Sequence, residues 1–203
     1  MAFVRNSWYV AGWSSEFDND LSAVKILNEN IVIYRTSKGQ VIAMEDRCPH
    51  RFLPLSMGKL IGDDIQCGYH GITYNCEGQC VRIPGQKKIQ KTLNVQTYPV
   101  HEQHDIVWIW MGENSLAETS EIFDMPQFYQ SEWEVNHGEA LYLNSNYLNV
   151  AENLVDPAHV SFVHPTTLGS SASEDVPVEF ETDGDVIVAV SYTHLTLPTK
   201  RIV

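Results

Sequence analysis

The sequence has no lysine or arginine between residues 92 and 199, although this stretch holds seventeen Asp and Glu. Most of the cations lie in residues 1–91, where eleven Lys and Arg stand beside nine Asp and Glu, and the 203-residue chain has a formal charge of −13. Nucleic acids and anionic membranes are bound by basic surfaces that neutralise phosphates. The composition therefore argues against both as partners, and the change of charge near residue 91 marks a candidate domain boundary.

Long hydrophobic runs are also missing. The longest, residues 106–111, is too short to cross a bilayer, and the N-terminus has no apolar run of signal-peptide length. Apolar residues make up 43% of the chain, which is enough for a sizeable core, and the four cysteines fit a reducing compartment if they bind metal. We therefore expect a cytoplasmic, soluble protein of one or two domains.

Short β-rich runs separated by turn residues fill the first 110 residues, a pattern typical of a small all-β domain. The runs are residues 8–11, 31–35, 41–45, 64–67, 72–75, 98–100 and 106–110. Apolar periodicity predicts a helix over residues 148–163 that is kinked at Pro157, because proline removes a backbone donor and disfavours helical geometry in the residue before it. Residues 176–190 predict two further strands.

Two Cys/His pairs suggest a metal site. Cys48 and His50 are separated by one residue, and sixteen residues lie between His50 and the second pair, Cys67 and His70. A structural zinc site usually has two to four residues between its first two ligands. A Rieske [2Fe-2S] cluster uses two cysteines on one iron and two histidines on the other. Zinc, a Rieske cluster and a core with incidental Cys and His are the alternatives that the residues leave open.

The segment from residue 48 to residue 84 resembles the Rieske domain of ring-hydroxylating and O-demethylating oxygenases. It contains both Cys/His pairs, an LSMG turn and the segments YHG and EGQCVRIPG. Residues 3–11, 107–110 and 152–156 are similar to the vanillate and dicamba O-demethylase type. The resemblance implies a [2Fe-2S] cluster with the ligands Cys48, His50, Cys67 and His70.

A second constellation, Asp156, His159 and His164, is a weak signal by itself. Residues three apart share a helix face, so Asp156 can bond one nitrogen of His159 while the other nitrogen binds a metal. The resemblance implies that His159 and His164 bind a mononuclear Fe(II). It also implies that Asp156 bridges His159 to His70 of a neighbouring subunit. The carboxylate that completes the iron site in the family stays unassigned.

The resemblance implies an α+β fold. An all-β Rieske domain over residues 1–115 would precede the first part of a helix-grip catalytic domain over residues 116–190. The tail, residues 191–203, departs from the family, and we interpret it as a non-native end of a truncated chain.

The implied function is that of a Rieske non-haem iron oxygenase. Electrons would pass from NAD(P)H through a reductase or ferredoxin to the cluster and then to the iron, where O2 is activated for reaction with a small aromatic substrate. The implied assembly is a homo-trimer. The alternative is a Rieske ferredoxin-like electron carrier without a complete iron site.

The potential of the cluster is a separate expectation. Respiratory Rieske proteins carry an additional cysteine in each ligand loop, and the two cysteines form a disulfide. Leu53 and Tyr69 occupy those positions here. Since hydrogen bonds and solvent exposure tune such clusters, we expect a lower-potential centre.

The remaining histidines and cysteines have simpler interpretations. We expect solvent-exposed histidines and free thiols, and we expect the N-terminal aromatic residues to serve in packing. These residues are His101, His104, His137, Cys76, Cys80, Trp8, Tyr9 and Trp13.

Overall fold

The computed structural model describes residues 3–89, 91–171, 174–184 and 186–191. This part of the chain is rich in β-structure and has few helices, in agreement with the predicted fold class. In chain order the strands are β1 (Trp8–Trp13), β2 (Ser22–Ile26), β3 (Glu29–Arg35), β4 (Val41–Glu45), β5 (Lys59–Ile61), β6 (Asp64–Gln66), β7 (Thr73–Tyr74), β8 (Cys80–Arg82), β9 (Thr97–Tyr98), β10 (Val100–Gln103), β11 (Ile106–Trp110), β12 (Val178–Asp183) and β13 (Val186–Ser191).

The helices are short. Among the described residues, two helices are α-helical, α1 (Tyr147–Leu154) and α2 (Val160–Val163). Short 3-10 helices lie at Ser14–Glu16, Leu55–Met57, Lys91–Leu93, Asn114–Leu116, Thr119–Glu121, Pro126–Tyr129 and Pro157–His159. None of the helices in the described part of the chain has the length and apolar content needed to span a bilayer.

Strands β3 and β4 form the middle of the N-terminal fold because both of their faces are buried. Residues 31–34 and 41–44 are continuous apolar runs, and every residue in them is buried. Such runs are typical of strands that are covered on two sides. The two strands belong to a four-stranded antiparallel sheet with the order β2-β3-β4-β9.

Each face of this middle sheet packs on a different sheet. Ile31 and Ile33 share one buried cluster with Val107 and Ile109 of the sheet β1-β11-β10. Alternate residues of β3 point the other way and share a second cluster with the sheet β5-β6-β7-β8. The second cluster also contains the two cysteines of the predicted metal site. The core that shapes this site is therefore continuous with the main core of the domain.

Arg35, at the end of β3, links the middle sheet to β10. Its guanidinium donates two hydrogen bonds to the Glu102 carboxylate, at 2.7 and 2.9 Å. The same guanidinium donates to the backbone carbonyls of Phe17, Gly39 and Ser14. The hydrogen bonds from Arg35 hold the pKa of Glu102 below its usual range.

His104 is buried, so the expectation that it is solvent-exposed is wrong. It lies in the two-residue turn between β10 and β11, and only 1% of its surface is accessible. Its Nε2 accepts a hydrogen bond from the Met125 amide at 3.2 Å, and the rings of Phe128 and Tyr129 pack on it with centroid distances of 5.3 Å. The sequence shows a polar turn, but the chain around residues 125–129 folds back over that turn.

The acidic segment from residue 113 to residue 138 lies along the sheet β1-β11-β10. Three indole N–H groups of this sheet hold it, each donating to a backbone carbonyl at 2.9 Å. The pairs are Trp110 with Glu113, Trp8 with Glu118, and Trp13 with Gly138. Trp8 and Trp13 therefore contribute contacts that hold this segment on the sheet.

The chain divides into two compact units, residues 1–138 and residues 139–203. Residues 116–138, which are predicted to be part of the second domain, belong to the first unit in this division. A packing unit and a family domain need not share a boundary, and the predicted domain boundary near residue 115 stays a prediction. Residues 192–203, which make up nearly all of the tail interpreted as non-native, lie outside the described residues.

The second unit contains α1, α2 and the hairpin of β12 and β13. The side chain of Asn146 caps the start of α1 by accepting the Leu148 amide at 3.0 Å. The helix ends at Leu154, and a 3-10 turn begins at Pro157. The predicted helix over residues 148–163 is therefore interrupted where proline predicts it.

Candidate functional site

The first ligand loop, residues 48–53, is closed by two backbone hydrogen bonds. The Cys48 amide donates to the Leu53 carbonyl at 2.9 Å, and the Phe52 amide donates to the Cys48 carbonyl at 2.8 Å. Phe52 has a left-handed φ of 61°, which is uncommon for a bulky residue. The guanidinium of Arg47 stacks 3.9 Å from the centroid of its ring, a cation–π contact that supports this conformation.

The second ligand loop, residues 67–72, repeats the same arrangement. The Cys67 amide donates to the Ile72 carbonyl at 2.8 Å, and the Gly71 amide donates to the Cys67 carbonyl at 3.1 Å. Gly71 has a φ of 69°, so both loops place a left-handed residue four positions after the cysteine. The two predicted pairs are therefore presented by loops of equivalent geometry.

The two cysteine sulfurs lie side by side in the core. Cys48 and Cys67 are buried free thiols, and their sulfurs are within hydrogen-bonding reach of each other. Burial raises the pKa of the Cys67 thiol, while the backbone amides of Tyr69 and His70 donate to its sulfur and act in the opposite direction. The sulfur of Cys48 lies 3.2 Å from the hydroxyl of Tyr74.

The two histidines of the same loops are exposed at the surface. The rings of His50 and His70 lie 4.5 Å apart between centroids at an interplanar angle of 66°. The exposed ring of Tyr69 packs on His70 with a centroid distance of 4.0 Å. The loops thus direct sulfur ligands inward and imidazole ligands outward.

This donor set fits a [2Fe-2S] cluster better than a single ion. Within the described residues no group of three or more His, Cys, Asp or Glu is arranged to hold one metal ion. A tetrahedral zinc site would place all four ligands around one point. A Rieske cluster assigns two ligands to each of two irons, and the structure provides one sulfur pair and one imidazole pair.

A turn after the first loop supports both loops and was not predicted as part of the site. The carboxylate of Asp46 accepts the amide and the hydroxyl of Ser56, both at 2.7 Å. Gly58, at the end of this turn, lies so close to β6 that a Cβ atom would come within 2.3 Å of the Gln66 carbonyl. The LSMG turn therefore needs glycine at residue 58 because its backbone packs directly on the strand that leads to Cys67.

The second predicted site lies in the break between α1 and α2. Asp156 caps the 3-10 turn, since its carboxylate accepts the Ala158 amide at 3.0 Å. His159 belongs to this turn, and His164 follows the last residue of α2. Their rings lie 5.6 Å apart between centroids at an interplanar angle of 67°. The structure therefore brings together the two histidines that the sequence pairs.

Backbone contacts orient the ring of His159. Its Nδ1 donates a hydrogen bond to the backbone carbonyl of Asp156, while the carboxylate of Asp156 lies 3.7 Å away. A proton on Nδ1 leaves the lone pair on Nε2, which is the nitrogen that lies 3.4 Å from the amide nitrogen of Asn153. Hydrogen bonding of one imidazole nitrogen is the usual way in which proteins prepare the other for a metal.

Cys76 and Cys80 belong to neither predicted ligand set, although Cys80 lies in the same buried cluster as Cys48 and Cys67. Both are free thiols, as expected, with Cys80 buried and Cys76 half-buried. Burial raises the pKa of Cys80. Cys76 lies 3.6 Å from the hydroxyl of Tyr34 and 3.5 Å from the carbonyl of Asp63.

Two protein families match the chain. The Rieske [2Fe-2S] domain matches residues 7–99. The vanillate O-demethylase oxygenase C-terminal domain matches residues 143–200. The first match contains both ligand loops, and the second contains Asp156, His159 and His164.

Two of the curated relatives are named as subunits of oxygenases. The iron-sulfur subunit of a toluene-4-sulfonate monooxygenase system from Comamonas testosteroni is 42% identical over 90% of this chain and 53% of its own length. A vanillate O-demethylase oxygenase subunit from a Pseudomonas species is 35% identical over 94% of this chain and 53% of its own length. The chain thus spans about half the length of the curated relatives it matches.

Solved structures agree with this relationship. The crystal structure of dicamba monooxygenase bound to dicamba superposes with a TM-score of 0.86 at 34% identity, covering 93% of this chain and 57% of that one. The likeness thus extends over both units of the chain. The chain therefore contains a Rieske [2Fe-2S] domain and a segment of the vanillate O-demethylase oxygenase C-terminal domain, and over most of its length it resembles the oxygenase components of vanillate and dicamba O-demethylases.

Proposed function

We propose that this chain belongs to the oxygenase component of a Rieske-type monooxygenase that acts on a small aromatic substrate. The observation that carries the proposal is the pair of equivalent closed loops, which places two sulfurs in the core and two imidazoles at the surface. The two family matches and the second histidine pair support it.

Each set of donors has a proposed metal. Cys48 and Cys67 would hold one iron of a [2Fe-2S] cluster, and His50 and His70 would hold the other. His159 and His164 would bind a mononuclear Fe(II). When bound, the cluster transfers single electrons and the Fe(II) centre activates O2.

The protein groups around these donors have distinct tasks. Burial of the sulfurs excludes water from one side of the cluster site, and exposure of His50 and His70 leaves the other side open to a partner. At the second site the backbone carbonyl of Asp156 keeps the proton of His159 on Nδ1. The Nε2 lone pair of His159 is then available to a metal.

The proposed partners follow the organisation of the family. A separate reductase or ferredoxin would deliver electrons that originate from NAD(P)H. The working form would be a cytoplasmic homo-trimer in which Asp156 lies between His159 of its own chain and His70 of a neighbouring subunit. The names of two relatives support the multicomponent system, since one is a system subunit and the other an oxygenase subunit.

The proposed substrate class is an aromatic acid. Toluene-4-sulfonate and vanillate, the compounds in the names of two relatives, are both anions of aromatic acids. Insertion of one oxygen atom into an O-methyl group would give a hemiacetal, which collapses to a phenol and formaldehyde.

One observation favours the electron-carrier alternative. Among the described residues, no third His, Cys, Asp or Glu is arranged with His159 and His164 to hold a metal ion.

Iron counting and oxygen uptake test the proposal. The 203-residue chain is reconstituted anaerobically with iron and sulfide, and is then assayed with a reductase and vanillate, dicamba or toluene-4-sulfonate. Three irons per chain, a Rieske electron paramagnetic resonance (EPR) signal and substrate-dependent oxygen uptake are expected. Two irons and a Rieske signal without oxygen uptake would favour the electron carrier. His50→Ala should abolish the signal, while the control His137→Ala should retain it.

A further inference from the structure

We propose that Asp46 is a positioning residue for the [2Fe-2S] cluster, because its carboxylate clamps the LSMG turn (residues 55–58) to the start of the first ligand loop and thereby slows loss of the cluster. This inference rests on the proposed cluster and concerns how the chain retains it. Asp46 would act through the ligand loops and would bind neither iron nor substrate.

Asp46 is a buried acidic residue just before the first ligand loop. It follows β4 and precedes Cys48 by two residues, and only 7% of its surface is exposed. Its amide donates to the Asn30 carbonyl at 2.9 Å, which fixes its backbone to β3. Its carboxylate oxygens accept from Ser56, Oδ1 from the amide and Oδ2 from the hydroxyl, each at 2.7 Å. Hydrogen bonds to a carboxylate are stronger than those between neutral groups, so this pair is a firm link across ten residues.

The Asp46–Ser56 clamp encloses the first ligand loop. Cys48 and His50 lie between the two clamped residues. Inside the clamp the loop is closed by its own bond from the Cys48 amide to the Leu53 carbonyl. Breaking the clamp therefore leaves that inner bond in place and weakens only the hold of the loop on the LSMG turn.

The LSMG turn also packs closely on the second ligand loop. A Cβ atom at Gly58 would come within 2.3 Å of the Gln66 carbonyl, and one at Gly68 would come within 2.8 Å of the Met57 carbonyl. Gln66 and Gly68 are the residues on either side of Cys67. The turn is thus in backbone contact with the second loop, and the clamp joins the same turn to the first loop.

The proposed cluster depends on the relative position of the two loops. Each iron would take one ligand from each loop, Cys48 with Cys67 and His50 with His70. An iron that joins two loops is released when the loops move apart, and such local opening does not require unfolding of the whole domain. A clamp that keeps both loops on one turn should therefore lengthen the lifetime of the bound cluster.

A second Asp–Ser pair provides the matched control. The carboxylate of Asp63 accepts the Ser37 amide at 2.7 Å and the Ser37 hydroxyl at 3.0 Å. This pair joins the turn after β3 to the turn between β5 and β6, so neither residue lies in a ligand loop or in the LSMG turn. It repeats the bonding pattern of the Asp46–Ser56 clamp at a place outside the ligand loops.

Chelator challenge of the reconstituted chain tests the proposal. Each variant is loaded with the cluster and mixed anaerobically with an excess of EDTA, and the decay of its visible absorbance and Rieske EPR signal is followed. We expect Asp46→Ala to lose the cluster about tenfold faster than the wild type, since it loses two hydrogen bonds to a charged group. Asp63→Ala should lose the cluster at the wild-type rate. Asp46→Asn, which keeps one acceptor oxygen for Ser56, should restore part of the lifetime.

A core variant separates positioning from general stability. Ile33→Ala opens a cavity in the buried cluster of residues that contains neither ligand cysteine, so it lowers the free energy of unfolding without touching the clamp. Its rate of cluster loss should match that of the wild type. If Asp46 only stabilised the fold, cluster loss would accelerate in both variants in proportion to the stability lost, which urea denaturation measures.

Ser56→Ala provides a second variant that preserves the fold. It removes the hydroxyl and keeps the amide of residue 56 as a donor to the Asp46 carboxylate, and it should also accelerate cluster loss. If Asp46→Ala does not fold, Ser56→Ala decides alone. A wild-type rate of cluster loss in the deciding variant, or equal acceleration in that variant and in Ile33→Ala, would contradict the inference. A wild-type chain that forms no Rieske cluster would instead contradict the proposed function on which it rests.

Discussion

The two histidine pairs have similar ring geometry but very different support. The ring centroids of His50 and His70 are 4.5 Å apart and those of His159 and His164 are 5.6 Å apart, at interplanar angles of 66° and 67°. The first pair lies on loops that are closed by backbone hydrogen bonds and anchored by buried cysteines. The second pair lies in a break between two short helices.

The two histidine pairs also differ in how deeply the residues around them are buried. The sheets around the first pair share continuous buried clusters. Near the second pair, Leu154 is 77% exposed and Phe162 is 65% exposed. The comparison teaches that two imidazoles can be brought together either by a core or by local backbone geometry alone. Substitutions around the two pairs should therefore have different consequences.

Loss of a buried cysteine ligand is expected to have the largest effect. Cys67→Ser should remove the [2Fe-2S] cluster completely, because a serine hydroxyl at this buried position replaces the thiolate that one iron requires. The measurement is iron and sulfide per chain together with the Rieske EPR signal. Cys76→Ser, which changes a half-buried thiol outside the ligand set, should keep both. Retention of a normal signal in Cys67→Ser would refute the ligand assignment.

Loss of a histidine of the second pair should affect one metal only. His159→Ala and His164→Ala should each remove the mononuclear iron, while the Rieske signal is retained, because the cluster ligands belong to other loops. Iron analysis and EPR on the same samples check this. The control His101→Ala should keep the full iron content, and loss of the cluster in His159→Ala would show that the sites are not independent.

The difference in burial predicts different costs for truncating an apolar side chain. Ile33→Ala should destabilise the chain by about 2–5 kcal/mol, because Ile33 is fully buried between two sheets. Phe162→Ala should change the free energy of unfolding by less than about 0.5 kcal/mol, since most of its side chain is exposed. Urea denaturation followed by tryptophan fluorescence measures both. Equal costs would mean that Phe162 is covered in the protein in solution.

The smallest expected effect concerns the ion pair of Arg35 and Glu102. Because the pKa of Glu102 is lowered in the folded state, the stabilisation is fully present above the pKa of an unfolded glutamate and is lost as pH falls through the lowered value. Both side chains are partly exposed, so the effect should stay below about 1 kcal/mol. Urea unfolding at pH 7 and at pH 3 should show a smaller acid-induced loss in Glu102→Gln than in the wild type. Glu132→Gln, an exposed carboxylate outside the pair, should behave like the wild type.

Strands with strong apolar runs could be predicted from the sequence. β4 and β11 have the predicted bounds, and β3 begins two residues before its predicted start. The strands β2, β5 and β8 were not predicted. They are short or mixed in polarity, and they form because β3, β6 and β7 offer them backbone partners. Strand formation at such positions depends on the neighbouring strand more than on the residues themselves.

The candidate site, like the strands, could be predicted only in part from the sequence. The spacing of Cys48, His50, Cys67 and His70 marks the ligand loops, and both loops adopt one closed geometry. The groups that support them were not predicted, because each supporting contact joins residues that have no sequence pattern in common. Ser56 bonds Asp46 across ten residues, and Tyr74 meets Cys48 across twenty-six.

By itself, the sequence determined the kinds of metal donor, their spacing and the charge of each half of the chain, because these properties follow from the linear order of the residues. Tertiary structure alone decided which histidines and cysteines are buried. His50 and His70 lie at the surface, whereas His104, in an equally polar stretch, is enclosed by a segment about twenty residues later in the chain. Burial depends on what folds over a residue, and that information is carried by distant parts of the chain.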